Sequence, residues 1–131
     1  MIKNLLEQVW KYKLSAPESF WQTDIETLSR VYNGIGPEQW PVFLRNIATD
    51  LLVLFAPAAL VHDYEFSTNA KCYKHFTQAN ARFTWNCLVL AFFGTTVFVK
   101  NKLHSRLKLA ALGLLLGVGC QLFGYNAYNN N

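Results

Sequence analysis

His62 and Asp63 are the side chains in this sequence best suited to chemistry. A neutral imidazole accepts a proton from water, and a carboxylate beside it binds a hard cation. Consecutive residues on a helix point about 100° apart, so the two cannot serve each other and each needs its own partner. For Asp63 the candidate is Asn33-Gly34-Ile35-Gly36-Pro37, where two glycines permit a tight turn that aims backbone carbonyls at a cation. For His62 the candidate is Asn80, on the inward face of a helical pattern running through Phe76, Ala79, Phe83 and Cys87. A polar group there holds the imidazole nitrogen that does not react. Taken singly, the glycine segment also reads as an ordinary helix-ending turn, and Asn80 as a buried amide satisfying backbone.

The elements that must position these residues read as helices. A short helix over 1–13 places Leu5, Leu6, Val9 and Trp10 on one face. Ser15-Ala16-Pro17-Glu18 has capping-box spacing, and Thr23-Asp24-Ile25-Glu26 repeats it before a helix over 24–32 with Ile25, Leu28, Val31 and Tyr32 on one side. The Asn33 to Pro37 segment stops that helix. Pro41 opens the next, to Phe55; Pro57 marks a kink or restart before the helix that carries His62, and Ser67-Thr68-Asn69 ends it. A long helix follows from near Lys71 to Phe93. Then come a basic link, Lys100 to Lys108, an apolar glycine-spaced run, Leu109 to Tyr125, and a polar Asn tail. No strand pairs, repeats or linker stand out, so the expected class is all-α, in a single domain over 1–131.

Composition narrows the partners. Of 131 residues, 52% are hydrophobic and 15% charged, against roughly 25% charged in ordinary soluble domains. That implies little exposed surface, or contact with a membrane. The net charge of +4 hides an asymmetry. Residues 1–65 carry five Lys/Arg and all eight acids, a net of −3; the remainder carries seven Lys/Arg and no acid, a net of +7. A basic, acid-free, apolar half suits an anionic lipid surface, whereas the aromatic-basic clustering of nucleic-acid binders is missing. No protein partner is indicated. The three cysteines, Cys72, Cys87 and Cys120, form no Cys-x-x-Cys pair and read as buried apolar fillers. The N-terminus lacks the apolar core of a signal peptide, so the expected location is cytoplasmic or membrane-associated.

The three motifs together resemble the phospholipase A2 superfamily, in particular its short phage- and bacteria-encoded members. Those carry an Asn-Gly-Cys-Gly-Pro loop, a Cys-x-x-His-Asp-x-x-Tyr helix and an Ala-Asp-x-x-Phe segment on a second helix. The matching residues are Asn33 to Pro37, Ala59-Leu60-Val61-His62-Asp63-Tyr64-Glu65-Phe66 and Ala79-Asn80-Ala81-Arg82-Phe83, with Asn86 fitting a further Asn. The likeness covers about 24–87. It implies an antiparallel helix pair with flanking helices, hydrolysis of phospholipid acyl esters, His62 as the water-activating base, Asn80 as its support, and Ca²⁺ held by Asp63 with loop carbonyls around Asn33, Gly34 and Gly36. Phe66 stands for the usual Tyr. The cysteines that pair in the family are Ile35 and Ala59 here, so an apolar contact is expected in place of that disulfide. Asn80 stands where the family has Asp; an amide orients the imidazole but cannot stabilise it as a cation, so catalysis is expected to be weakened or lost.

The C-terminal part supports a second reading. Trp85 to Val99 and Leu107 to Tyr125 are apolar runs flanking the basic link, as in a membrane hairpin, and Gly113, Gly117 and Gly119 suit close helix packing. The glycines and Gln121 equally suit a soluble core. On the membrane reading the chain is a small non-enzymatic membrane protein, a holin-like or scaffold hairpin.

Overall fold

The computed structural model of the chain describes residues 2–32, 42–68, 71–94 and 103–129, with backbone alone for 42–53, 103–104 and 126–127. The described residues are all-α, in seven helices: α1 (Ile2–Lys11), α2 (Glu18–Trp21), α3 (Ile25–Val31), α4 (Val42–Thr68), α5 (Tyr73–Phe93), α6 (Leu103–Phe123) and α7 (Tyr125–Asn129). The Asn33 to Pro37 loop lies outside the described residues.

α4 is the centre of the fold. Its buried residues Phe55, Leu60, Val61 and Tyr64 meet Leu5 and Val9 of α1, Phe20 of α2 and Leu28 of α3 in one apolar core. The helix runs without a break through Pro57, where a kink or restart was expected, so it does not restart there. Proline removes one backbone donor. The flanking Ala56, Ala58 and Ala59 are all buried, so tertiary packing holds the segment helical despite that loss.

The N-terminal caps differ from the motif reading. α2 is a single turn whose N-cap is Pro17, with no side-chain bond. α3 is capped by Asp24, not Thr23: the Asp24 carboxylate accepts from the Thr27 amide at 3.3 Å and the Thr27 hydroxyl at 2.6 Å. Of the expected inward face of α3, Leu28 is buried, whereas Ile25 is 41% exposed. In α1 the buried stripe is Ile2, Leu5 and Val9. Trp10, one residue past Val9, turns outward and meets the Trp21 ring edge-on at 5.8 Å.

α5 runs antiparallel to α4, as shown by two contacts that descend along one helix as they rise along the other: Leu54 against Gly94 at the far end and His62 with Asn80 near the connection, where Glu65 also pairs with Arg82. α6 returns antiparallel along α5. Gly113 faces Cys87, Gly117 faces Thr84, Gln121 bonds Asn80, and Arg106 donates to the carbonyls of Ala91 and Gly94. Arg106, within the stretch read as a basic link, is therefore buried, and it caps the C-terminus of α5, where a cation meets the terminal carbonyls. The polar tail forms α7, whose Tyr128 is fully buried with Phe66, Phe76 and Ala79.

The α5–α6 contact depends on the glycines. A Cβ at Gly117 would collide with the Thr84 side chain. Gly117→Ala should therefore cost about 1–3 kcal/mol by overpacking, and Thr84→Ala in the same molecule should recover much of it. Urea denaturation of the two single variants and the double variant measures that coupling.

Candidate functional site

His62 sits on the second-last turn of α4, facing Asn80 of α5, and is only 7% exposed. Its ring lies between Phe66, centroid to centroid 4.1 Å, and Phe83, 4.7 Å. Nε2 is 2.8 Å from Oδ1 of Asn80, itself buried on α5. Asn80 Nδ2 donates at 2.8 Å to Gln121 Oε1 on α6, and Gln121 Nε2 donates to the Tyr73 hydroxyl at 3.0 Å and to Thr77 Oγ1 at 3.2 Å. With the Asn80 amide nitrogen committed to Gln121, its oxygen faces the imidazole. Nε2 must then carry the proton, and Nδ1 carries the lone pair.

Burial sets the charge of this histidine. Desolvation pushes His62 down from 6.5 to about 4, and the Asn80 bond only partly opposes the fall. The ring is neutral at pH 7. Its Nδ1 is a proton acceptor of low basicity, because burial opposes the cation that proton transfer would create.

Asp63, one residue on, is half-buried and lies within electrostatic reach of Cys120 on α6. The Tyr32 hydroxyl is raised above its ordinary value, first by burial and second by the Asp63 carboxylate. That places the residue immediately before Asn33 within electrostatic reach of Asp63. The proposed ligands Asn33, Gly34 and Gly36 lie outside the described residues, as does Ile35. Among the described residues no three His, Cys, Asp or Glu side chains cluster as a metal site. Cys87 and Cys120 are buried and free, as expected of fillers, whereas Cys72, the N-cap of α5, is exposed.

Three supports had no contact assigned to them from sequence, although Asn86 was matched to the motif. Gln121 is the only side chain with two hydrogen-bonding ends between Leu109 and Phe123, and that isolation was its one signal. Asn86 uses both ends of its amide on the backbone of Ser15, accepting from the amide at 2.7 Å and donating to the carbonyl at 2.8 Å. It ties the α1–α2 connection to α5. Glu65, buried, pairs with Arg82 at 3.1 Å and adds a charged link between α4 and α5 one turn beyond the histidine.

Comparison with protein-family models, known proteins and solved structures finds no match to this chain.

Proposed function

We propose that the chain is a phospholipase A2-like hydrolase of phospholipid acyl esters, with His62 as the group that draws a proton from the attacking water. The observation that carries this reading is the 2.8 Å pairing of His62 with Asn80 across α4 and α5, which directs Nε2 at a support and leaves Nδ1 as the acceptor. The order of motifs supports it too: glycine loop, His-Asp helix, then Ala-Asn-x-x-Phe helix. Asp63 fits a calcium ligand in kind, since it is a hard oxygen donor, is not sealed in the core, and lies within electrostatic reach of Tyr32, the residue before the glycine loop. Asp63, with carbonyls of Asn33, Gly34 and Gly36, would hold Ca²⁺. When bound, the ion supplies a Lewis acid that polarises an ester carbonyl.

The protein's own residues then divide the work. Phe66 and Phe83 keep the imidazole dry and fixed in plane. Asn80, held by Gln121, keeps it in the Nε2–H form. Because Asn80 brings no charge, turnover is slow: loss of the carboxylate that supports a catalytic imidazole costs on the order of 10⁴ in rate.

A second reading is a non-enzymatic membrane protein. It is favoured by the exposed apolar face of α6 and by the amide at position 80, under which the His62 network is a buried polar lock between α4, α5 and α6. Fatty-acid release from mixed phospholipid vesicles, at millimolar calcium and in chelator, separates the two. The hydrolase releases fatty acid only with calcium, and His62→Ala abolishes release. No release from any lipid, together with no calcium-dependent rise in melting temperature, leaves the non-enzymatic reading.

A further inference from the structure

We infer that the outer face of α6 docks on an anionic lipid bilayer, lying in the plane of the interface rather than crossing it. The inference shares its lipid with the proposed hydrolysis but rests on different residues and does not need catalysis.

Leu107, Leu114, Leu115, Val118 and Leu122 recur at helical spacing along α6 and are 52, 46, 37, 52 and 67% exposed. They form one apolar stripe on the side opposite Gly113 and Gly117, which face α5. A continuous apolar face of this length on a small protein marks a contact surface. From Ser105 to Phe123 the helix is also long and apolar enough to cross a membrane by length and composition.

The antiparallel register argues against crossing. Gln121 is level with Asn80 and Gly117 with Thr84, so the C-terminal half of α6 runs beside the N-terminal half of α5. That half of α5 exposes Lys74, Thr77 and Gln78, and carries Arg82 in its pair with Glu65. A crossing α6 would carry these groups to hydrocarbon depth, where unsolvated charge and polar surface are costly. An in-plane α6 buries its stripe among the acyl chains and leaves that part of α5 in water. Charge selects the lipid. No acid follows Glu65 in the sequence. Lys108 is exposed at the start of the stripe, and Lys74 is exposed where the N-terminus of α5 meets the far end of α6. A basic residue near the surface favours an anionic leaflet by about 1 kcal/mol, which is about fivefold in affinity.

The test is co-sedimentation of the full chain with vesicles of phosphatidylcholine, alone or with about one third phosphatidylglycerol, in chelator so that hydrolysis plays no part. Binding should be about tenfold stronger to the anionic vesicles and fall with salt. It should drop at least about tenfold in the Leu114→Asp, Val118→Asp double variant, whose exposed positions leave the core intact, and should weaken in Lys108→Glu. His62→Ala should bind as the parent does, so failed hydrolysis and failed docking are distinguishable. Protein bound to membranes should be released by alkaline carbonate. Carbonate-resistant protein means a crossing helix and overturns the inference. So does unchanged binding by the double variant. A parent dimer that the double variant converts to monomer, without vesicle binding by either, assigns the stripe to a second copy of the chain and also overturns it.

Discussion

Asn80→Asp should raise calcium-dependent fatty-acid release by about 10²-fold or more, within the 10⁴ that the supporting carboxylate supplies to a catalytic imidazole. The site can accept the change. Asp cannot donate to Gln121, but the Gln121 amide can turn so that its nitrogen faces position 80 and its oxygen accepts from the Tyr73 and Thr77 hydroxyls, which now accept from Nε2. The same substitution should raise the His62 pKa from its present value of about 4, since an opposite charge at hydrogen-bond distance favours the imidazolium. Two readouts are thus coupled. Rate and pKa rising together mark a base limited by its missing counter-charge. A raised pKa with no release marks a histidine whose role is structural. An unchanged pKa would contradict the His62–Asn80 geometry itself.

Acid should destabilise the fold through the same residue. In the unfolded chain His62 takes up a proton near pH 6.5, whereas in the folded protein it resists until about pH 4. Protons therefore favour the unfolded state over that window. The stabilisation is fully present above pH 6.5 and is lost as the pH falls through 4. The gap corresponds to about 3 kcal/mol, a large part of the stability of a small domain. Urea unfolding at a series of pH values between 7 and 4 measures the loss. In His62→Gln, which cannot titrate, the curve should flatten by about that amount, whatever the variant's absolute stability. Parallel curves for the two proteins would show that the acid sensitivity comes from other groups.

How much of this could be read from residue order alone follows from which contacts are local. The inward face of α5 obeys one helical period, so Phe76, Ala79, Asn80, Phe83 and Cys87 were readable as buried together, and all are. Asn80 was readable as the partner of His62 because both lie on inward faces of helices consecutive in the chain. Gln121 was not, since its place beside Asn80 depends on how α6 returns over α5, 41 residues away in sequence. The Asn86–Ser15 tie spans 71 residues and is equally invisible to local pattern. Trp10 was misplaced because hydrophobicity was read without the 100° step that separates it from Val9. A restart at Pro57 did not follow, because packing of the surrounding alanines against the core outweighs one lost hydrogen bond. Tyr128 was passed over in an Asn-rich tail, although an aromatic of its size is worth burying wherever a cluster such as Phe66 and Phe76 is open to it.

The central claim is that His62 is held neutral with its proton on Nε2 and its lone pair on Nδ1. Long-range ¹⁵N–¹H NMR of the imidazole, in protein labelled at histidine, reads that state without knowledge of the lipid. The expected result at pH 7 is the Nε2–H tautomer, persisting until the pH approaches 4. An Nδ1–H tautomer, or an imidazolium at pH 7, would contradict the account, because the acceptor nitrogen would then already carry a proton.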